Sequence, residues 1–142
     1  MPVTDLTLRP SRPVWPAMVK GLKCRCPSCG EGKLFSRYLR VADTCDVCGT
    51  DLFHHRADDA PPYIVTTIVG HLAIVPILHM EMSNNPAHPL LYLLIMIPVL
   101  ILASLALLPV IKGSIVGLQW ARYMHGFDPV GIDHEIEQDV RA

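Results

Sequence analysis

LLYLLIMIPVLILASLALLPVI, residues 90–111, runs for twenty-two positions without a charged side chain, and only Tyr92 and Ser104 carry polar side-chain atoms. At about 1.5 Å rise per residue it makes a helix roughly 33 Å long, enough to cross a hydrocarbon layer of roughly 30 Å with slight tilt. A core helix of a soluble protein would show water-facing residues every few positions, and this stretch offers almost none. It reads as a membrane span.

Upstream, YIVTTIVGHLAIVPILHM (63–80) is long enough for a second crossing, with the first span expected over 63–82. Thr66, Thr67, Gly70 and His71 make a small polar face suited to close helix packing, and Pro76 is expected to kink the far half. An ionisable group inside a span is costly and marks a functional hypothesis, so His71 is a candidate metal or haem ligand. The alternative is a neutral His71 hydrogen-bonded to the neighbouring helix. Residues 83–89, opening Ser83-Asn84-Asn85-Pro86, form the turn of a two-helix hairpin.

Of the twelve Lys and Arg, nine precede Tyr63, three follow Ile111, and none lies in the hairpin or its turn. By the positive-inside rule the turn faces away from the cytoplasm, and both termini are expected on the cytoplasmic side of a bacterial inner membrane. With 142 residues in all, about half remain for aqueous structure, too few for a large soluble core. A net charge of −1 and an acidic C-terminal stretch argue against a nucleic-acid partner.

The strongest chemical signal precedes the hairpin: Cys26-Pro27-Ser28-Cys29-Gly30, fourteen residues, then Cys45-Asp46-Val47-Cys48-Gly49. Two C-x-x-C turns, each aiming two thiolates at one ion, complete a closed tetrahedral site of zinc-ribbon spacing. Gly30 and Gly49 suit the positive φ that turns backbone N–H groups toward sulfur. Two disulfides are the competing reading, disfavoured in a reducing cytoplasm. Zinc is the expected ion, with iron in the same four-sulfur cage as the alternative. A ribbon spanning only residues 24–53 would draw folding energy from its metal, on the order of 10 kcal/mol or more. Leu34, Phe35, Tyr38, Leu39 and Val41 suit a short hairpin beside it. Cys24 is left over: a substitute ligand, a redox-sensitive thiol, or a bystander.

Residues 1–23 carry four prolines and are expected to be a flexible basic segment, with Arg9, Arg12, Lys20 and Lys23 available to anionic headgroups, as is Arg25 just beyond. The linker 54–62 gathers His54, His55, Asp58 and Asp59, either a second metal or proton site or a polar loop in which Pro61 and Pro62 open the next helix. Residues 112–127 continue the second span or lie along the surface, and Gly113 and Gly117 at small-x-x-x-small spacing could pair with another helix or a second copy of the chain. Residues 128–142 read as a disordered acidic tail. No Ser-His-Asp or Cys-His set and no Gly-rich phosphate loop is present, so an enzyme is not expected.

The order of parts, CPSCGEGKLF (26–35), VADTCDVCGTDL (41–52), HHRADDAPPY (54–63), IVGH (68–71) and KGSIVGLQWA (112–121), resembles a bacterial membrane family catalogued as domain of unknown function 983, over residues 24–123. The resemblance implies the two-helix membrane hairpin with a cytoplasmic zinc ribbon, and supports Cys26, Cys29, Cys45 and Cys48 as ligands. In alphaproteobacteria, genes for similar proteins lie beside those for cytochrome c oxidase subunits and assembly factors, which implies a respiratory assembly context. The expected function is a membrane-anchored binding module that docks another membrane protein. The alternative is metal or haem handling through His71, with His54, His55 or His79.

Overall fold

A computed structural model describes residues 11–54, 59–82 and 89–127. Three helices and a two-stranded sheet follow one another: α1 (Val14–Leu22), β1 (Phe35–Arg37), β2 (Arg40–Val41), α2 (Ala60–Met82) and α3 (Pro89–Ala121). The chain is an α-helical membrane hairpin carrying a small cysteine ribbon. Residues 83–88 of the expected turn 83–89, the acidic tail, Arg9, His55 and Asp58 lie outside the described residues, and Pro89 opens α3 instead of closing the turn.

Apolar side chains on every side of α3 leave no stripe to turn toward a soluble core. Leu94 and Leu102 are 69% and 65% exposed, and no protein covers them, which suits contact with lipid. α2 and α3 are both long and apolar enough to cross a membrane. They pack along one another, and the buried positions of α2 are Pro61, Val65 and Val69. Pro61 and Pro62 sit in the first turn of α2, where missing N–H groups cost no helical hydrogen bond. Thr66, Thr67, Gly70 and His71 are exposed instead of packed between the helices, and a Cβ on Gly70 would meet nothing.

α3 does not end at the membrane boundary. It runs unbroken through Pro109 to Ala121, so residues 112–121 are the span emerging and not a separate surface helix. Its character changes on the way: residues up to Ala106 are mostly exposed, whereas Gly113, Ser114, Val116, Gly117 and Gln119 are buried by the rest of the chain.

What buries them includes α1, a helix where the proline-rich sequence promised a flexible segment. Pro13 sits at its N-cap and Pro16 in its first turn. The N–H groups of a first turn have no helical acceptor, so Pro16 breaks no bond there. α1 is then held by packing. Gly21 lies against the backbone of Gly113 and Ala17 against that of Gly117, so α1 runs antiparallel to α3 and descends toward the membrane. The Gly113/Gly117 pair, which the sequence offered to another helix or a second copy of the chain, packs against the chain's own first helix.

The ribbon closes the same face. Leu34, Leu52 and Val116 are fully buried and form one cluster with Val41 and Phe127, joining both knuckles to α3. β1 and β2 are antiparallel, with Phe35 opposite Val41 and Arg37 opposite Arg40.

Candidate metal centre

Each C-x-x-C turn is a small loop pinched shut at its base, the first by an Arg25–Lys33 bridge and the second by Thr44–Asp51. Inside the loops the hydrogen bonds repeat: Gly30 N–H donates to the Cys26 carbonyl at 2.9 Å, and Gly49 N–H to that of Cys45 at 3.0 Å. Gly30 and Gly49 have φ of 80° and 69°, the left-handed conformation that reverses the chain and that a Cβ would strain.

The sulfur atoms of Cys26, Cys29, Cys45 and Cys48 all lie within 4.8 Å of one another. Cys26 Sγ is 3.8 Å from Cys48 Sγ, and Cys29 Sγ is 3.8 Å from Cys45 Sγ. Four sulfurs about 2.3 Å from a central ion form a tetrahedron with edges of roughly 3.75 Å, so the separation matches that of a tetrathiolate metal site. All five cysteines are free thiols, so the disulfide reading is not realised. The four residues are positioned to bind a metal ion. Gly32 contributes by having no side chain, since a Cβ there would strike Cys45 Sγ.

The electrostatics differ from thiol to thiol. Burial pushes Cys26 up to about 12, against the opposing pull of the Cys29 and Ser28 N–H groups. The N–H groups of Gly32 and Glu31, 3.5 and 3.4 Å from Cys29 Sγ, hold that thiol below its ordinary value. Burial also acts upward on Cys48, but the Thr50 hydroxyl at 3.1 Å, the Thr50 N–H and the neighbouring cysteines outweigh it and bring the thiol down to about 6. A metal-free ribbon at neutral pH therefore presents a ready thiolate at its exposed corner and a proton to be displaced at its buried one.

The other candidates lie elsewhere. Cys24, with φ of 56°, ends α1: its N–H donates to Gly21 and its carbonyl accepts from Leu34, and burial raises its thiol. It is not a member of the sulfur cluster. His54 stacks on Phe53, with ring centroids 3.8 Å apart, and meets Phe127 edge-on. Asp59 is exposed immediately before α2, and His79 is exposed on that helix. Among the described residues, no histidine joins a group able to hold an ion.

His71 makes its hydrogen bond within its own helix, not across to α3: Nδ1 is 2.7 Å from the Thr67 carbonyl oxygen. A carbonyl only accepts, so Nδ1 carries the hydrogen and the neutral ring's lone pair is left on Nε2. Sequence reasoning missed Arg12, which it assigned to headgroups. Its guanidinium donates to the Trp120 carbonyl at 2.8 Å and lies 4.3 and 4.0 Å from the Trp120 and Tyr123 ring centres. Lys20 is likewise used internally, donating to the Ser28 carbonyl at 2.7 Å and so tying α1 to the first knuckle.

No curated protein and no solved structure matches the chain. The family model described as a protein of unknown function, DUF983, matches residues 35–120, a range that takes in β1, β2, Cys45 and Cys48, all of α2 and all but the last residue of α3. The match begins after Cys29, so the first cysteine pair rests on the geometry just described. With the second knuckle and the membrane hairpin inside the matched range, the chain belongs to the DUF983 family.

Proposed function

We propose that the chain is an accessory binding protein: a zinc ribbon fixed by its hairpin at the cytoplasmic face of a bacterial inner membrane, docking another membrane protein during assembly of a respiratory complex, cytochrome c oxidase being the candidate. The observation that carries this reading is the four-sulfur cluster. A metal held by four protein ligands has no open position for a substrate, so it organises a surface and performs no chemistry. On this reading the protein is not an enzyme. The ribbon surface supports docking, since Val47 and Phe53, at and just after the second knuckle, are 56% and 54% exposed. The respiratory context rests on the neighbourhood of genes for similar proteins, and the orientation on the placement of Lys and Arg.

The test is capture of the partner from solubilised membranes. Cys26→Ser should unfold the ribbon and abolish capture while the hairpin still inserts. A ribbon-deleted variant that keeps the partner would refute the proposal.

A second reading, metal or haem handling through His71, is favoured by one observation, the Nδ1 bond to Thr67 that leaves Nε2 free as a ligand atom on an exposed helix face. Unchanged metal content and oxidase activity in cells carrying His71→Ala would end it.

A further inference from the structure

Pro109 lies inside α3 and has no N–H, so the carbonyl of Leu105, four residues earlier, loses the donor it would have in an uninterrupted helix. A buried carbonyl left without a donor is costly, the more so where lipid limits access of water. The ribbon supplies the missing donor: the Tyr38 hydroxyl donates to the Leu105 carbonyl at 2.7 Å, across 67 residues of sequence. Tyr38 is at the turn between β1 and β2. This bond fixes the depth of the hairpin tip, because Leu105 stands where α3 passes from exposed apolar residues to the face covered by the ribbon and α1.

Two arginines flank that tyrosine at the tip. Arg37 and Arg40 are direct cross-strand partners, so their side chains leave the same face of the hairpin. Both are exposed, and neither side chain has a hydrogen bond or ion pair among the described residues. Like charges directly opposite one another destabilise a sheet unless an anion lies between them. Beside them Tyr38 is itself 58% exposed, and Leu39 takes a φ of 60° to turn the chain. Of the other basic candidates for headgroups, Arg12 and Lys20 are used in packing, whereas Lys23, just past α1, and Arg25 are exposed; what sets Arg37 and Arg40 apart is that they stand directly opposite one another beside Tyr38.

We propose that the tip of the ribbon hairpin is an anionic-lipid site, in which Arg37 and Arg40 hold the phosphate of a membrane phospholipid and Tyr38 sets the tip at headgroup depth. The occupant is a lipid phosphate because the site is tied to a carbonyl of the spanning helix, where headgroups are the nearest anions. It adds to the ribbon a register relative to the bilayer. It depends on neither the identity of the metal nor that of the protein partner.

The test uses the full-length protein in mild detergent, titrated with dioleoylphosphatidylglycerol or dioleoylphosphatidylcholine in mixed micelles, with bound lipids counted by native mass spectrometry. The parent should prefer the phosphatidylglycerol. At roughly fivefold for each basic side chain at an anionic surface, Arg37→Gln with Arg40→Gln should weaken phosphatidylglycerol binding about 25-fold, with metal content unchanged. Should the double variant lose its metal, the two single variants, expected to weaken binding about fivefold each, give the same reading. Arg122→Gln, just past the end of α3 and about 25 Å from Leu105, should change nothing. Equal retention of the two lipids by the parent, undiminished binding in the arginine variants, or the same loss in Arg122→Gln would overturn the proposal. Displacement of the lipid by millimolar inorganic phosphate would assign the site to a soluble anion and overturn it equally.

Discussion

Cys26 and Cys48 do opposite work in one site. A metal needs four thiolates, so loading the ribbon at about pH 7 must expel the proton of Cys26, held up to about 12 by burial, whereas Cys48, lowered to about 6, is already ionised. Each displaced proton makes affinity rise about tenfold per pH unit. Metal affinity, measured by chelator competition, should therefore climb at least about tenfold per unit from about pH 6 to 9, and more steeply below about 6, where Cys48 also takes up a proton. A flat profile across that window would contradict the assignment of Cys26. The four ligands were legible because C-x-x-C is a local signal: spacing alone brings two sulfurs to one side of a turn. The roles of Arg12 and His71 were not, since each depends on which carbonyl lies nearby once the helices have formed.

Among the elements, α1 and α3 form the joint between membrane and ribbon. A side chain at Gly113 would run into the Gly21 carbonyl, so Gly113→Leu should destabilise the joint by about 1–3 kcal/mol, the usual cost of overpacking. Hydrogen exchange would report it as faster exchange across α1, with α2 unaffected. The Tyr38 bond is a second tie. Tyr38→Phe leaves the Leu105 carbonyl without its donor at a cost of about 1–3 kcal/mol. Much of that cost should vanish in a Pro109→Ala background, where an N–H returns to α3, and a double-mutant cycle on thermal unfolding in detergent measures the difference. Both long helices were visible as apolar runs, because residues 63–80 and 90–111 contain no Asp, Glu, Lys or Arg. α1 was hidden because its stability comes from packing on Gly113 and Gly117, and prolines in a first turn look like helix breakers to any local reading.

At the scale of the molecule, the hairpin and the ribbon make one continuous object. α3 is about 50 Å long, more than a bilayer core requires, and its excess is the post on which α1 and both knuckles are mounted. The small-residue motif pairs with another helix, as its spacing suggested, and that helix is the chain's own α1. A ribbon mounted this way is held close to the surface of the membrane, as the proposed docking role requires. That account depends on the four sulfurs holding a structural ion, with His71 taking no part. Elemental mass spectrometry of the purified full-length protein, beside His71→Ala and Cys26→Ser, tests it most directly. The account predicts about one zinc per chain in the first two samples and loss in the third, the stoichiometry of one closed four-thiolate site. Iron or copper in the parent that disappears with His71 would contradict it and move the functional centre into the membrane.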